Sequence, residues 1–229
     1  MARTIVVSAL LTLCACNVNL GDRVHEEFHQ SIDSGATPVV HVDNIAGTVT
    51  VEPWTKPVVN IAATKYGSSA DDLRNVTIGV HREGDGIFVV TTYSGSTNGG
   101  GVRYRISVPS GASVQVSNTA GTVAIGAVAG NVNVETQAGT IEARLGRVDG
   151  QRTIALSATT GTVTLRISPQ SSASIDASST IGAFTSDIPG IAQSRANLVG
   201  VRASGKVGAG TAQIRLTTTT GAISLKATE

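Results

Sequence analysis

Residues 108–145 read VPSGASVQVSNTAGTVAIGAVAGNVNVETQAGTIEARL, and one unit recurs within them. The unit has two apolar residues two positions apart, a short polar stretch, a glycine, and then two more apolar residues two positions apart. With Gly139 as position zero, apolar residues lie at −7, −5, +2 and +4, namely Val132, Val134, Ile141 and Ala143. This alternation indicates β-strands, because successive side chains of a strand point to opposite faces.

The same unit recurs along the chain about every 20 residues, which is a period typical of stacked supersecondary units. Further copies are centred on Gly121, Gly161, Gly182 and Gly221, and a single copy around Gly47 precedes them. Because one unit is too small to bury its own apolar face, neighbouring units must stack. We therefore predict an all-β fold, a right-handed β-solenoid or β-helix-like repeat stack preceded by an N-terminal β-strand region. An antiparallel β-sandwich is the alternative, since short strands at this spacing also suit hairpins.

Two stretches of the chain resemble a known protein family. Residues 108–145 and the segment GAGTAQIRLTTTTGAISL at 208–225 are similar to the bacterial putative-adhesin family, uncharacterised envelope proteins with G-x-[VI]-x-[VIL] strand repeats. The resemblance extends over about residues 28–226 and is interrupted at 183–213. It implies a β-helical envelope domain with a role in adhesion or as a scaffold in envelope stress, and it brings no catalytic residue.

The N-terminus, MARTIVVSALLTLCAC, has the parts of a bacterial secretory signal. Arg3 supplies the positive charge, and residues 5–13 form an apolar stretch that is too short to span a bilayer. Residues 13–16, LCAC, resemble a lipobox in which Cys16 accepts the lipid. By the same resemblance, Asn17 after the acceptor favours the outer membrane over retention in the inner membrane. An ordinary cleaved signal peptide with incidental cysteines is the alternative.

These features divide the chain into four regions. Residues 1–15 are predicted to be a lipoprotein signal peptide, and 16–35 to be the lipidated Cys16 and a tether that merges into a first strand near 28–32. Residues 36–110 are expected to form an N-terminal β region with one helical turn at 70–74. The glycine-repeat solenoid is expected over 111–229. Within it, we expect a loop with one strand at 187–210 and the last coil at 214–225.

The composition narrows the class of function. The chain of 229 residues carries a formal net charge of +1, 14% charged residues, 3% aromatic residues and 26 glycines. This balance argues against a nucleic-acid partner, which requires a basic patch. The expected contacts are instead the membrane, through the lipid anchor, and an envelope protein or polysaccharide. We expect no cofactor.

One position of the repeat carries charge. Position +5 from the glycine holds Arg144, Arg166, Asp187 and Lys226. Equivalent positions stack in a solenoid, so Arg144 and Arg166 are expected to form a column beside Asp187. This column is interpreted either as a solvated face that keeps the stack soluble or as a groove for acidic polysaccharide. The predicted role is therefore structural or binding, without catalysis, and the alternative is a carbohydrate-active enzyme or polysaccharide-binding protein on a β-helix.

Two further features have a functional and a structural interpretation. Residues 25–29, HEEFH, match the zinc-protease motif H-E-x-x-H, which works when a helix places both histidines on one side of the metal. Phe28 and Ile32 fit the start of a strand better, so we predict no zinc. Trp54, the only tryptophan, is expected to cover an apolar end, and sugar stacking is the alternative.

Overall fold

The structure is a computed structural model, which describes residues 24–95, 100–195 and 199–228. The signal peptide, Cys16 and Asn17 lie outside these residues. Most of the described chain is strand. In chain order the elements are β1 (Val24–Asp33), β2 (Val39–Trp54), β3 (Val58–Gly67), α1 (Ala70–Arg74), β4 (Val76–Glu83), β5 (Gly86–Tyr93), β6 (Gly101–Pro109), β7 (Ser113–Ile125), β8 (Val132–Gly146), β9 (Thr153–Ile167), β10 (Ala173–Ser186), β11 (Ile191–Arg195), β12 (Val201–Val207) and β13 (Ala212–Ala227).

Six long strands, β2, β7, β8, β9, β10 and β13, share one bent shape. In β8, Val134 before the bend and Ile141 after it are both fully buried, and the bend lies at Gly139, whose φ is +147°. The two halves therefore bury their alternate side chains in one hydrophobic core. We call the half before the glycine the first leg and the half after it the second leg. The bend is the glycine corner, and the connection to the following strand is the loop corner.

The glycine corners form a column through the stack. They occupy matching register positions on neighbouring strands, and their φ angles lie between +122° and +154°. A β-carbon on Gly161 would overlap the carbonyl oxygen of Gly139, and one on Gly139 would overlap that of Gly121. Only glycine combines this conformation with so close an approach of two backbones. The column consists of Gly47, Gly121, Gly139, Gly161, Gly221 and Gly182.

The bent strands lie side by side in the order β2, β7, β8, β9, β13, β10, and each neighbouring pair is parallel. Equivalent repeat positions face each other across every pair, so that Val116 aligns with Val134 and Val134 with Leu156. Parallel stacking of equivalent positions is the arrangement of a β-solenoid. The prediction of an all-β, solenoid-like repeat stack is confirmed, and the antiparallel sandwich does not describe the body of the molecule.

The prediction that residues 214–225 form the last coil is wrong. β13 lies between β9 and β10 and pairs with both of them in parallel. Its inward residues Ile214 and Leu216 are at most 2% exposed, as expected of an internal strand. Every copy of the repeat presents the same alternating pattern, so the pattern does not determine the order in which the copies stack.

The segment at 187–210 also differs from the expectation of a loop with one strand. It contains two strands, β11 and β12, which form an antiparallel hairpin. β12 pairs with residues 173–179 of β10, which belong to the first leg of that strand. The hairpin therefore covers the sheet edge of one leg, and β11 becomes the edge strand of that leg.

At the N-terminal end of the stack, β5 and β6 each pair with β2 in parallel, and the strands beyond them are added antiparallel. β5 extends the first leg of β2 and pairs with β4, while β6 extends the second leg and is followed by β3 and β1. The strand predicted near 28–32 is part of β1 and begins earlier, at Val24. α1 coincides with the predicted helical turn and begins with a capping box between Ser69 and Asp72. No helix within the described residues is long and apolar enough to cross a membrane.

Candidate functional site

The outer face of the second legs carries a row of hydroxyl groups. Thr48, Thr122, Thr140 and Thr162 follow the corner glycines directly and align with one another in register. Each is half-buried between its neighbours. Asn131, which has the same polar character, lies instead at the loop corner. Its backbone carbonyl accepts a hydrogen bond from the Val114 N–H at 2.8 Å.

A row of positive charges runs along the same face, close to the loop corner. Arg166 of β9 aligns with Arg144 of β8 on one side and with Lys226 of β13 on the other. We call these three residues the cation row. The predicted column of Arg144 and Arg166 is therefore present. Asp187 does not lie beside Arg166 as expected, because Lys226 separates the two residues.

Carboxylates lie at both ends of the cation row. Glu142 accepts a 3.4 Å contact from Nη2 of Arg144, and both side chains are well exposed. Asp187 follows β10, and its backbone N–H donates to the carbonyl oxygen of Leu225 at 3.0 Å. Within the described chain, Arg166, the central member, has no ion-pair partner. The row is therefore only partly neutralised by its own protein.

The outer face of the first legs has a different arrangement of charge. Asp176 of β10 aligns with Arg215 of β13, so opposite charges are neighbours there. At the other end of this face, the ring of Phe88 is stacked between two histidines, with centroid distances of 4.4 Å to His41 and 5.0 Å to His81. Both faces of the Phe88 ring are therefore covered by the histidine rings.

A buried polar row runs inside the stack next to the glycine corner, three residues before each glycine. Nδ2 of Asn44 donates to Oδ1 of Asn118 at 2.9 Å, and the Thr91 hydroxyl donates to Oδ1 of Asn44 at 3.1 Å. The Thr91 hydroxyl also lies 2.7 Å from the Tyr104 hydroxyl. Burial raises the pKa of Tyr104 to about 12, and the hydrogen bond with Thr91 opposes this in part. The row continues through Thr136, Thr218 and Ser179.

Sequence reasoning did not identify this polar row. Its only signal is that the position three residues before the glycine holds Asn, Thr, Ala or Ser instead of a large apolar residue. The side chains are enclosed and point into the core, away from both outer faces. The row therefore lies inside the glycine corner, where its side chains pack against the core.

The HEEFH segment lies within β1 and is extended. His25, Glu27 and His29 share one face of the strand, and Nε2 of His29 lies 3.9 Å from Oε2 of Glu27. Glu26 points to the other face and pairs with Nζ of Lys65 at 2.8 Å. This is not the helical geometry that the zinc motif requires. Among the described residues, no three His, Cys, Asp or Glu side chains are grouped closely enough to hold a metal.

Trp54 stabilises its own turn. Its indole Nε1 donates to the carbonyl oxygen of Val58 at 2.7 Å, and Nζ of Lys56 lies 5.1 Å from the centroid of the ring. The residue is half-buried at the end of β2. The Lys56 ammonium therefore occupies one face of the ring, and the role as a cover over an apolar end stays a prediction.

Comparison with known proteins agrees with this architecture. The crystal structure of a putative cell adhesion protein from Clostridium sporogenes superposes with a TM-score of 0.66 at 12% identity and covers 90% of this chain and 100% of that chain. That of a putative adhesin from Bacteroides fragilis has a TM-score of 0.35 at 9% identity, with coverage of 89% and 97%. No curated protein matches the chain.

The family assignment comes from the sequence of the repeat region. The profile of the family described as Toastrack DUF4097 matches residues 94–226, more than half of the chain. This range begins before β6 and includes all the bent strands except β2. The resemblance to envelope proteins with glycine-centred strand repeats is thereby confirmed. The chain belongs to the Toastrack DUF4097 family.

Proposed function

We propose that this protein is a lipid-anchored component of the cell envelope whose β-stack has a structural or binding role without catalysis. Support for the anchor comes from the residues 13–16, LCAC, after a short apolar stretch. Support for an adhesin-like role comes from the family and from the architecture shared with a putative cell adhesion protein. The anchor holds the stack at the membrane surface, and the favoured membrane is the outer one.

The observation that carries the binding role is the continuous outer face of the second legs. Equivalent side chains repeat along it from strand to strand, at a spacing of about 4.8 Å. The face offers hydroxyl groups in one row and cations in another, and the stack direction lets a long partner contact many coils. A surface of this kind suits recognition of an extended envelope component.

Anchoring is tested by labelling cells with palmitate and separating their membranes. We expect the wild type to incorporate the label and to sediment with the outer membrane. The Cys16→Ser variant should lose both properties, because its hydroxyl replaces the acceptor thiol. Cys14→Ser is the matched control and should retain them. An unlabelled wild type that fractionates with soluble proteins would overturn the proposed anchor.

Absence of catalysis is tested with a panel of envelope and plant polysaccharides. We expect no new reducing ends and no unsaturated products after prolonged incubation with the purified protein. Activity that increases with protein concentration, and that disappears when Glu142 or Asp176 is replaced by the corresponding amide, would establish the enzyme alternative.

A further inference from the structure

We infer that the cation row, Arg144, Arg166 and Lys226, binds a linear acidic polysaccharide through the carboxylates of its uronic acid residues. The inference rests on the proposed binding role and specifies its site and its partner. The polysaccharide chain lies along the stack direction, across β8, β9 and β13. Each cation pairs with a carboxylate at a successive position along the polysaccharide.

The first argument is the arrangement of like charges. Residues directly opposite on neighbouring strands interact, and like charges in such positions destabilise a sheet. Arg166 has a cation on both sides, whereas on the first legs Arg215 has Asp176 beside it. The sheet therefore gains nothing from the cation row by itself, and an anion along the row removes the repulsion.

The second argument is the chemistry of the cations. A guanidinium group presents two parallel N–H donors that match the two oxygens of a carboxylate. Arg144 is exposed, and Arg166 and Lys226 are half-exposed, so all three reach solvent from one face. The intramolecular contact between Arg144 and Glu142 joins two exposed side chains, and such pairs are weak. A ligand carboxylate can therefore compete with it.

The third argument is the neighbouring row of hydroxyl groups. Thr164 of β9 and Ser224 of β13 lie two residues before Arg166 and Lys226 and align with each other. Thr185 of β10, two residues before Asp187, aligns with Ser224. The Thr185 hydroxyl donates to that of Ser224 at 3.2 Å, so the row already forms hydrogen bonds along the stack. A uronic acid residue carries hydroxyl groups beside its carboxylate. A row of cations parallel to a row of hydroxyls matches that pattern.

The proposal favours a polysaccharide over a simpler polyanion. A phosphate polymer can accept hydrogen bonds from the hydroxyl row, but it has no hydroxyl groups along its chain to donate in return. A single-stranded nucleic acid gains affinity by stacking bases on aromatic side chains, and the outer residues of β8, β9 and β13 include none. The partner should be a linear polymer, because neighbouring cations of the row are one strand spacing apart along the stack.

The test compares three forms of the full-length protein in detergent, with polygalacturonate as the probe in isothermal titration calorimetry. The wild type should bind, with an affinity that falls as salt rises. The variant Arg144→Gln, Arg166→Gln, Lys226→Gln should bind at least tenfold more weakly. The control Arg202→Gln, Lys206→Gln, Arg215→Gln removes the same charge from the other face and should bind like the wild type. The cation-row variant should melt at the same temperature as the wild type or higher.

A second set of titrations keeps the wild-type protein and replaces the probe with methyl-esterified polygalacturonate, polyphosphate or vesicles of anionic lipid. The esterified polymer keeps the sugar backbone without its charge and should lose at least tenfold in affinity. Polyphosphate or vesicles that bind as tightly as polygalacturonate would overturn the proposal, as would an equal loss in both triple variants or no binding by the wild type. Each of these outcomes leaves the membrane fractionation of wild type and Cys16→Ser unchanged, so the proposed anchoring is judged separately.

Discussion

The chain turns at two corners in each coil, and the two corners are built differently. At the glycine corner, every bent strand changes direction at one glycine, and the six glycines stack so closely that no side chain fits between them. At the loop corner, the connections are 126–131, 147–152 and 168–172, and the last one expands to 187–211 with a hairpin. The glycine corner is the same in every coil, and the loop corner varies. This difference indicates that steric constraint determines the fold at one corner and leaves the other free to vary.

The position of the cation row agrees with this division. Arg144, Arg166 and Lys226 lie near the ends of their second legs, close to the loop corner. A substitution there changes an exposed side chain and leaves the glycine column intact. The predictions that follow compare the two corners, in order of decreasing effect.

The largest effect is expected at the glycine column. Gly161→Ala should lower the free energy of unfolding by about 3 kcal/mol or more, because the new β-carbon overlaps the Gly139 carbonyl and φ is +141°. Gly150→Ala is the matched change at the loop corner, with φ of +73° and nothing within 4 Å of the new carbon. It should cost about 1 kcal/mol. Urea unfolding measures both, and equal costs would contradict the steric account of the corner.

A pH dependence is expected from the buried polar row. Tyr104 has a pKa of about 12, raised from 10.0 by burial. The folded state therefore holds this proton more tightly than the unfolded state does, so the contribution of Tyr104 to stability is complete below pH 10 and is lost as pH rises toward 12. The loss amounts to about 2 kcal/mol. Chemical unfolding between pH 9 and 12 measures it, and a Tyr104→Phe variant with the same pH profile would refute the assignment.

Two members of the polar row should respond differently to removal of a polar group. Asn118→Ala leaves Nδ2 of Asn44 without its acceptor and should cost about 2 kcal/mol. The hydroxyl of Thr136 is buried and has no hydrogen-bond partner within the described residues. Thr136→Val keeps the shape and should change stability by less than about 0.5 kcal/mol. A larger loss for Thr136→Val than for Asn118→Ala would mean that the hydrogen bonds do not organise the row.

The hairpin at the loop corner is expected to affect association of the protein more than the folding of the stack. Replacing residues 187–211 with the six-residue connection found at 126–131 should leave the stack folded, since a connection of that length already joins β7 to β8. It should expose the edge of the first leg of β10, and exposed strand edges pair with other chains. Light scattering should show concentration-dependent self-association. A monomer at all concentrations would show that the hairpin does not protect this edge.

The sequence allowed the strands and their inward faces to be predicted, because alternating apolar residues on either side of each glycine indicate strands with one buried face. Val134 and Ile141, two apolar positions of the repeat, are fully buried, and the cations at position +5 are neighbours. The order of the strands could not be predicted, because the pattern Ile214, Leu216, Ile223, Leu225 fits between any two coils. The buried polar row could not be predicted, because Asn, Thr and Ser before a glycine are also typical of an exposed turn.

The central claim is that the loop-corner end of the second legs binds the partner while the glycine corner maintains the fold. Backbone amide shifts measured by NMR during titration with polygalacturonate test this most directly. We predict shifts concentrated at the cation row and at the neighbouring hydroxyl residues Thr164 and Ser224. The amides of Gly139, Gly161 and the first-leg residues Gln115 and Ala155 should not shift. Shifts centred on the first legs or the glycine corner, or none at saturating polymer, would contradict the account.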